Sequence, residues 1–166
     1  HRRENLGENM HNIFEAIREI AEDFEDVEVV YPVHMNPKVR AAASEVFGGC
    51  ANIHLIEPLS YQPFVNLMAK SYFIITDSGG MQEEAPSLGK PVLVVRKETE
   101  RPEAVSAGTV KLAGVRRETI AALARELLTD RKAYDAMSKA SNPYGDGTAC
   151  DKILEALKWQ NTQIGK

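Results

Sequence analysis

Cysteine is scarce in this chain, since Cys50 and Cys150 are the only two among 166 residues and they form no CxxC pair. That scarcity argues against a disulfide framework and a cysteine-based metal site, and it suits a reducing cytosol. The sequence also lacks an apolar run of membrane-spanning length and a recognisable signal peptide. With a net charge of −4, it has no basic excess for general binding to nucleic acid or membrane surfaces. We therefore expect a cytoplasmic protein with neither kind of partner.

The composition that remains is that of an ordinary globular domain. Hydrophobic residues make up 43% and charged residues 27% of the chain, which is enough for one domain with a substantial core. The chain opens on the charged stretch "HRRENLGENM", without a starting Met. This opening is typical of the interior of a longer protein, and we expect a further domain upstream.

Helix-like and strand-like segments alternate along the chain. Apolar residues at helical spacing predict a first helix over 8–24, and the Asn36–Pro37 pair predicts the start of a second that ends before Gly48. Further helices are predicted over 60–71, 116–129, 131–140 and 148–159. Strands are predicted over 27–33, 52–57, 72–76, 91–95 and 109–113, with 72–76 buried on both faces. This alternation indicates βαβ units and a mainly parallel sheet with helices on both faces.

A glycine turn, "DSGG" at 77–80, follows the predicted strand "YFIIT". In open parallel sheets, ligands bind beyond the carboxyl ends of the strands. The N-terminus of the next helix offers unpaired N–H groups and partial positive charge, which favour phosphate. Gly79 and Gly80 let an anion approach the backbone, and the Ser78 hydroxyl adds a donor. The turn therefore predicts a diphosphate site.

Two glutamates follow the glycines. Glu84 lies about a turn and a half beyond Ser78, where its carboxylate could accept both hydroxyls of a ribose. Glu83 faces another way, which indicates a structural role. The alternative is a plain helix start, with Asp77 or Ser78 as the cap and the glutamates favoured by the helix dipole. Spacing alone leaves both interpretations open, while the absence of GxGxxG argues against a dinucleotide.

Seven motifs occur in order along nearly the whole chain: HRRENLG at 1–7, VYPVHMNP at 30–37, HLIEPLSYQPFVNLM at 54–68, TDSGGMQEEAPSLGKPVLVVR at 76–96, TERPE at 99–103, AGTVKLAG at 107–114 and NPYGDG at 142–147. Together they resemble the non-hydrolysing UDP-N-acetylglucosamine 2-epimerases, and they cover only the carboxyl-terminal half of that family's enzyme. The resemblance implies a Rossmann-like three-layer domain over 1–166, one half of a two-domain glycosyltransferase-B architecture. Residues 148–166 are then expected to form a crossover helix and tail.

The resemblance also implies an activity. The family interconverts UDP-N-acetylglucosamine and UDP-N-acetylmannosamine by eliminating UDP to leave 2-acetamidoglucal and then adding UDP back, without a metal or cofactor. It implies that Ser78, Gly79 and Gly80 bind the diphosphate, Glu84 the ribose, Leu59 and Phe64 the uracil, and Arg101 the phosphates or ribose. These implied roles agree with the interpretation of the glycine turn.

Three more residues match positions at or beside the family's active site. His1 is implied to be catalytic, because the charge of a histidine can follow the leaving diphosphate near neutral pH. Arg2 and His34 match an activating site for a second UDP-N-acetylglucosamine. The alternatives are an ion pair of Arg2 with Glu4 or Glu8, and a His34 that is hydrogen-bonded by the backbone. The family's proton-transferring carboxylates lie in its first domain, so the isolated chain is expected to bind UDP weakly and not to turn over.

Three other functions remain open. A hydrolysing relative would release N-acetylmannosamine and UDP. A glycosyltransferase of the same architecture would also hold the ribose of its donor through a glutamate, and a non-catalytic nucleotide-binding module would use this half alone. For the full-length protein, the resemblance further implies a homodimer that acts on UDP-N-acetylhexosamines in the synthesis of cell-envelope polysaccharides.

Overall fold

The computed structural model describes residues 3–145 and 147–164, with side chains described for residues 4–145 and 147–158. In those ranges the strands are β1 (Val29–Pro32), β2 (Ile53–Ile56), β3 (Ile74–Thr76), β4 (Val92–Val94) and β5 (Val110–Leu112). The helices are α1 (Glu8–Asp23), α2 (Pro37–Phe47), α3 (Tyr61–Lys70), α4 (Gly79–Ser87), α5 (Pro102–Ala107), α6 (Arg117–Thr129), α7 (Arg131–Ser138) and α8 (Ala149–Ile164), and a short 3-10 turn, Arg3–Asn5, precedes α1. The predicted α/β alternation is confirmed.

Every ladder between the described strands is parallel, as predicted. β1 pairs with β2, and β4 lies between β3 and β5, so that Leu93 is opposite Ile75 on one side and Lys111 on the other. The ladders form a two-stranded and a three-stranded sheet. Parallel neighbours need crossover connections, and α2, α4 and α5 supply them. The carboxyl ends of β3, β4 and β5 therefore meet at one edge of their sheet.

β4 is the best-buried strand of the fold, since Val92, Leu93 and Val94 are all 0% exposed. Its side chains alternate between two apolar clusters, as the period of a strand requires. Leu93 and Val95 pack with side chains of α1, α2 and α6, whereas Val92 and Val94 pack with α3, α4 and α5. Helices therefore cover both faces of the sheet, which confirms the predicted three layers.

The prediction that the strand over 72–76 is buried on both faces holds only in part, since Ile74 is buried in one cluster and Ile75 packs partly buried against the other. β3 begins only at Ile74, and it lies at the edge of its sheet rather than in the centre. Ile74 is buried, but Ile75 and Thr76 are only partly buried, and Tyr72 is 42% exposed. An apolar run predicts a buried strand, but it does not show where in the sheet the strand lies. At the edge of its sheet, β3 has a neighbouring strand on one side only.

Helix α1 is fixed to α6 by packing and by ion pairs. Glu19 accepts hydrogen bonds from Arg117 at 2.7 Å and from Arg125 at 2.5 Å, and Asp23 accepts from Arg125 at 2.5 Å. Exposed ion pairs are screened by solvent and contribute little, so the apolar contacts carry most of the stability. The side chains that α1 buries are Met10, Ile13, Phe14, Ala16, Ile20 and Ala21. Ile17 and Phe24, predicted on the same face, are only partly buried.

The predicted start of α2 is confirmed in detail. Asn36 occupies the cap position with an extended backbone, and its Oδ1 accepts a hydrogen bond from the Lys38 N–H at 3.0 Å. Pro37 is the first helical residue, where its missing N–H costs nothing. The helix ends at Phe47, directly before Gly48.

Helix α5 has no counterpart among the predicted elements. It has six residues, which is too few to show an apolar period, and it ends at Gly108 with φ 82°. A residue with a side chain rarely adopts this left-handed backbone, whereas glycine does so readily. The TERPE motif therefore spans the end of a loop and the first turn of a helix.

Helix α8 is exposed to solvent along the part whose side chains are described. Each of its side chains from Ala149 to Lys158 is exposed, including Ile153 at 58%, Leu154 at 53% and Leu157 at 53%. The helix itself agrees with the predicted pattern at 148–159. The crossover role predicted for residues 148–166 stays a prediction.

Candidate functional site

The glycine turn lies at the carboxyl end of β3, as predicted. β3 ends at Thr76 and α4 begins at Gly79. Ser78 has the extended backbone of a helix cap, with φ −86° and ψ 134°, and its N–H donates to the Thr76 hydroxyl oxygen at 3.0 Å. Among the described residues, the Ser78 hydroxyl makes no capping hydrogen bond to α4. A side-chain cap by Ser78 therefore does not explain this motif, and capping does not occupy the hydroxyl.

Glu84 lies close to the start of its own helix. A Cβ built on Gly80 would come 3.9 Å from Oε1 of Glu84, so the carboxylate borders the first turn of α4. Gly80 is exposed whereas Gly79 is buried, which makes Gly80 the point at which a ligand can reach the helix end. The arrangement can hold an anion on backbone N–H groups and a pair of hydroxyls on the carboxylate, side by side.

Glu83 is paired with Arg101 of the TERPE motif. The Nε–H of Arg101 donates to Oε1 of Glu83, and Nη1 donates to the Glu100 carbonyl at 3.1 Å. The hydrogen bond and the charge of Glu83 raise the pKa of Arg101 above its ordinary value. Both side chains are about one-third exposed, at 33% and 37%. The structural role predicted for Glu83 is therefore to hold the cation of Arg101 beside α4.

Asn5 is a buried amide that joins three parts of this edge. It is 2% exposed, and its Nδ2 donates to Oδ2 of Asp77 at 3.2 Å and to the Val95 carbonyl at 3.1 Å. These bonds attach the turn before α1 to the ends of β3 and β4. Burial and, secondly, the charge of Asp77 raise the pKa of Tyr31 on β1 to about 12. No sequence pattern predicts this role for Asn5.

The loop after β4 begins with another buried polar residue. Arg96 donates to Glu4 at 2.9 Å through Nε and to Glu100 at 2.5 Å through Nη1. A pocket of about 270 Å³ adjoins it, lined by Glu4, Asn5, Asn9, Arg96, Lys97 and Glu98. A second pocket, of about 170 Å³, is lined by Val33, Arg40, Ser44, Leu55, Ile56 and Glu57. Asn5, which lines the first of these pockets, also donates to Asp77 of the glycine turn.

Leu59 and Phe64 lie on either side of the start of α3. Leu59 follows β2 and is 38% exposed. Phe64 belongs to the first turns of α3 and packs partly against the cluster that contains Met68 and Ala85. Because Met68 lies on α3 and Ala85 on α4, both helices cover the same face of the sheet. Phe64 is thus on the same side of the sheet as the glycine turn.

The remaining predicted residues fall into two groups. His34 is exposed at the end of β1, and its Nδ1 accepts a hydrogen bond from the Asn36 N–H at 3.1 Å. This contact agrees with the alternative of a histidine hydrogen-bonded by the backbone. His1 and Arg2 lie outside the described residues. The catalytic role of His1 and the activating site at Arg2 and His34 stay predictions.

The other described histidines and acidic residues suggest no metal site. His54 contacts Glu28 at 2.5 Å, and His11 lies 4.0 Å from Glu45. In residues 3–145 and 147–164, no group of three or more His, Cys, Asp or Glu side chains is placed to hold a metal ion. Across the same part of the chain, none of the helices combines the length and apolar character needed to traverse a bilayer.

Comparison with known proteins identifies the family. The family model described as UDP-N-acetylglucosamine 2-epimerase matches residues 1–158, nearly the whole chain. The chain belongs to the UDP-N-acetylglucosamine 2-epimerase family. The resemblance carried by the seven motifs is therefore confirmed.

Individual epimerases agree in sequence and in fold. The UDP-N-acetylglucosamine 2-epimerase of Bacillus subtilis is 64% identical over 157 residues, which are 95% of this chain and 41% of that protein. Staphylococcus aureus MnaA, in a co-structure with UDP, is 51% identical with a TM-score of 0.91 over 100% of this chain and 46% of its own. The Neisseria meningitidis epimerase bound to UDP-GlcNAc is 50% identical with a TM-score of 0.89 over 95% of this chain and 42% of its own.

These comparisons confirm the predicted fold class, a Rossmann-like α/β domain of glycosyltransferase-B type. The chain spans less than half the length of the epimerases it matches, between 41% and 46% in these three examples. The activity of a whole epimerase therefore involves more chain than is described above.

Proposed function

We propose that this chain is the UDP-binding half of an isomerase that interconverts UDP-N-acetylglucosamine and UDP-N-acetylmannosamine. One observation carries the proposal: the Ser78 hydroxyl, the exposed Gly80 backbone and the Glu84 carboxylate border one helix end in a chain that is 64% identical to an epimerase. The shares of the relatives' length, all below one half, support a division of the active site between this domain and another.

Each part of UDP has a counterpart at this edge. The diphosphate lies on the N–H groups at the start of α4 and on the Ser78 hydroxyl, where the helix dipole also favours an anion. Glu84 accepts the ribose hydroxyls. Arg101, held beside α4 by Glu83, adds positive charge to the phosphates. Phe64 lies on the same face of the sheet as α4, and with Leu59, which precedes α3, it receives the uracil.

The reaction requires UDP to stay bound while the sugar is detached. The bond between sugar carbon 1 and the diphosphate oxygen breaks, a proton leaves carbon 2, and the 1,2 double bond of 2-acetamidoglucal forms. Re-addition of UDP with a proton returned to the other face of carbon 2 completes the epimerisation. N–H donors and a cation beside the diphosphate stabilise the charge that develops on the leaving oxygen. The family resemblance implies that carboxylates of another domain transfer the carbon 2 proton and that His1 acts on the diphosphate.

A calorimetric titration of the chain with UDP tests this proposal. We expect saturable binding that is weakened about two- to tenfold by Ser78→Ala, because one neutral hydrogen bond contributes about 0.5–1.5 kcal/mol. Ser106→Ala, which changes an exposed serine on α5, is the matched control and should bind as the unchanged chain does. Absence of binding by a chain that unfolds cooperatively would overturn the proposal.

Gly80→Ala is expected to change stability and binding in opposite directions. A Cβ at Gly80 meets Glu84 Oε1 at an ordinary 3.9 Å, so the fold accommodates it. Alanine in place of glycine near the start of a helix raises stability by up to about 1 kcal/mol. The same methyl group blocks the approach of phosphate to the N–H groups.

Thermal unfolding and UDP titration of the Gly80→Ala variant check this pair of effects. The midpoint should stay level or rise while UDP affinity falls about tenfold, which corresponds to ~1.4 kcal/mol. Undiminished affinity in the variant would show that the phosphates lie elsewhere.

A further inference from the structure

Gln82 is an uncharged polar residue in the middle of the motif, and it is completely buried. Its exposed fraction is 0%, on a helix whose other buried side chains are small or apolar. Its Nε2 donates to the Ser78 carbonyl at 3.3 Å, and its Oε1 accepts from the Thr99 hydroxyl at 2.5 Å. A buried amide without partners would cost about 1–3 kcal/mol, so these two bonds are needed to keep Gln82 at this position.

Thr99 extends this connection to Arg101. Its hydroxyl oxygen accepts a hydrogen bond from the Arg101 N–H at 3.0 Å while its own O–H is donated to Gln82. A continuous series of hydrogen bonds thus runs from the backbone of Arg101 through Thr99 and Gln82 to the backbone of Ser78. The side chain of Arg101 is held at the same time by Glu83. Two consecutive residues of α4 therefore fix the backbone and the side chain of one arginine.

We propose that Gln82 and Thr99 are positioning residues for UDP, which hold Arg101 at a set distance from the glycine turn so that both bind one diphosphate. This rests on the proposed function, which gives Arg101 a contact with the nucleotide. Arg101 belongs to a loop, and a loop that must become ordered on binding loses affinity through its conformational entropy. The hydrogen bonds through Thr99 remove that cost before the nucleotide arrives.

If Gln82 and Thr99 served only stability, their substitution would have a different effect on UDP affinity. If Gln82 and Thr99 only held the loop to α4, their loss would lower stability. It would also change UDP affinity by the same factor with or without the Arg101 guanidinium. Positioning of Arg101 instead makes the effect on UDP depend on that guanidinium. A double-mutant cycle separates the two cases.

Thr99→Val is the central variant, because valine keeps the shape of threonine and removes only the hydroxyl. Thr99→Ser restores the hydroxyl and serves as the rescue. Thr99 lies on a partly exposed loop, so the variants should fold, and thermal unfolding verifies this. Gln82→Leu, at a fully buried position, is a second variant that removes the same connection from its other end.

Calorimetric titration with UDP gives the readout in four chains: unchanged, Thr99→Val, Arg101→Ala, and both together. We expect Thr99→Val to weaken binding about three- to tenfold, Thr99→Ser less than about twofold, and Thr99→Val to add nothing once Arg101 is alanine. Unchanged affinity in Thr99→Val, or the same loss in both backgrounds, overturns the inference and leaves the proposed function standing. A folded, unchanged chain that does not bind UDP overturns both.

Discussion

Leu93→Ala is expected to lower the free energy of unfolding by about 2–5 kcal/mol, the range measured for large-to-alanine changes in cores. Leu93 is 0% exposed in the centre of β4, opposite Ile75 and Lys111. Its side chain lies in the cluster that joins the sheet to α1, α2 and α6. Neighbours on two strands and three helices cannot all move in to fill the space, so a cavity remains and its cost adds to the lost burial.

Chemical denaturation followed by circular dichroism measures this change. Leu112→Ala is the matched control, because it makes the same substitution on β5 at a side chain that is already 38% exposed. We expect it to cost less than about 1 kcal/mol, since less apolar area leaves contact with the protein. Equal losses in the two variants would contradict the assignment of β4 as the centre of the core.

Glu84→Ala is expected to weaken UDP binding about ten- to a hundredfold. A hydrogen bond to a charged group contributes about 1.5–3 kcal/mol, and the carboxylate is proposed to accept from both ribose hydroxyls. The UDP affinity of Glu84→Gln should lie between those of the unchanged chain and Glu84→Ala, because glutamine keeps one acceptor oxygen and loses the charge. Calorimetric titration with UDP measures all three chains.

Two controls make this second prediction specific to the ribose. Glu118→Ala removes an exposed carboxylate from α6, so it changes the net charge equally and should leave UDP affinity unaltered. With 2′-deoxy-UDP as the ligand, the difference between Glu84 and alanine should shrink, since one of the two hydroxyls is missing. A Glu84→Ala chain that still prefers UDP over its deoxy form by the original factor would show that another group binds the ribose.

The sequence was sufficient to predict most of the fold, because its patterns are local. The period of the apolar residues predicted α1, and the Asn36–Pro37 pair and Gly48 predicted the two ends of α2. Both helices lie within one or two residues of their predicted bounds. Helix α5 was missed because six residues carry no period, and its Pro102 start is also compatible with a loop. The exposure of β3 was missed because the position of a strand within a sheet depends on pairing that no short segment encodes.

The site divides in the same way. Ser78, Gly80 and Glu84 form one continuous motif, and the structure brings them to one helix end. Asn5 was not predicted because its hydrogen-bond partners lie 72 and 90 residues away in the sequence. Gln82 was not predicted because its partner Thr99 lies on another loop. A single buried amide has no characteristic spacing. One signal was present nonetheless, since Gln82 interrupts the motif with a polar residue on the buried side of α4.

The pairing of α1 with α6 has a consequence for the order of events on the ribosome. Glu19 and Arg117 are 98 residues apart, so at about 5–20 residues per second roughly 5–20 s separate the synthesis of the two helices. During that interval the emerging chain carries the apolar face of α1 with its later neighbour still untranslated. The buried side chains of α1, Ile13 and Ile20 among them, therefore wait for part of their final packing, and a nascent-chain chaperone could bind them during that interval.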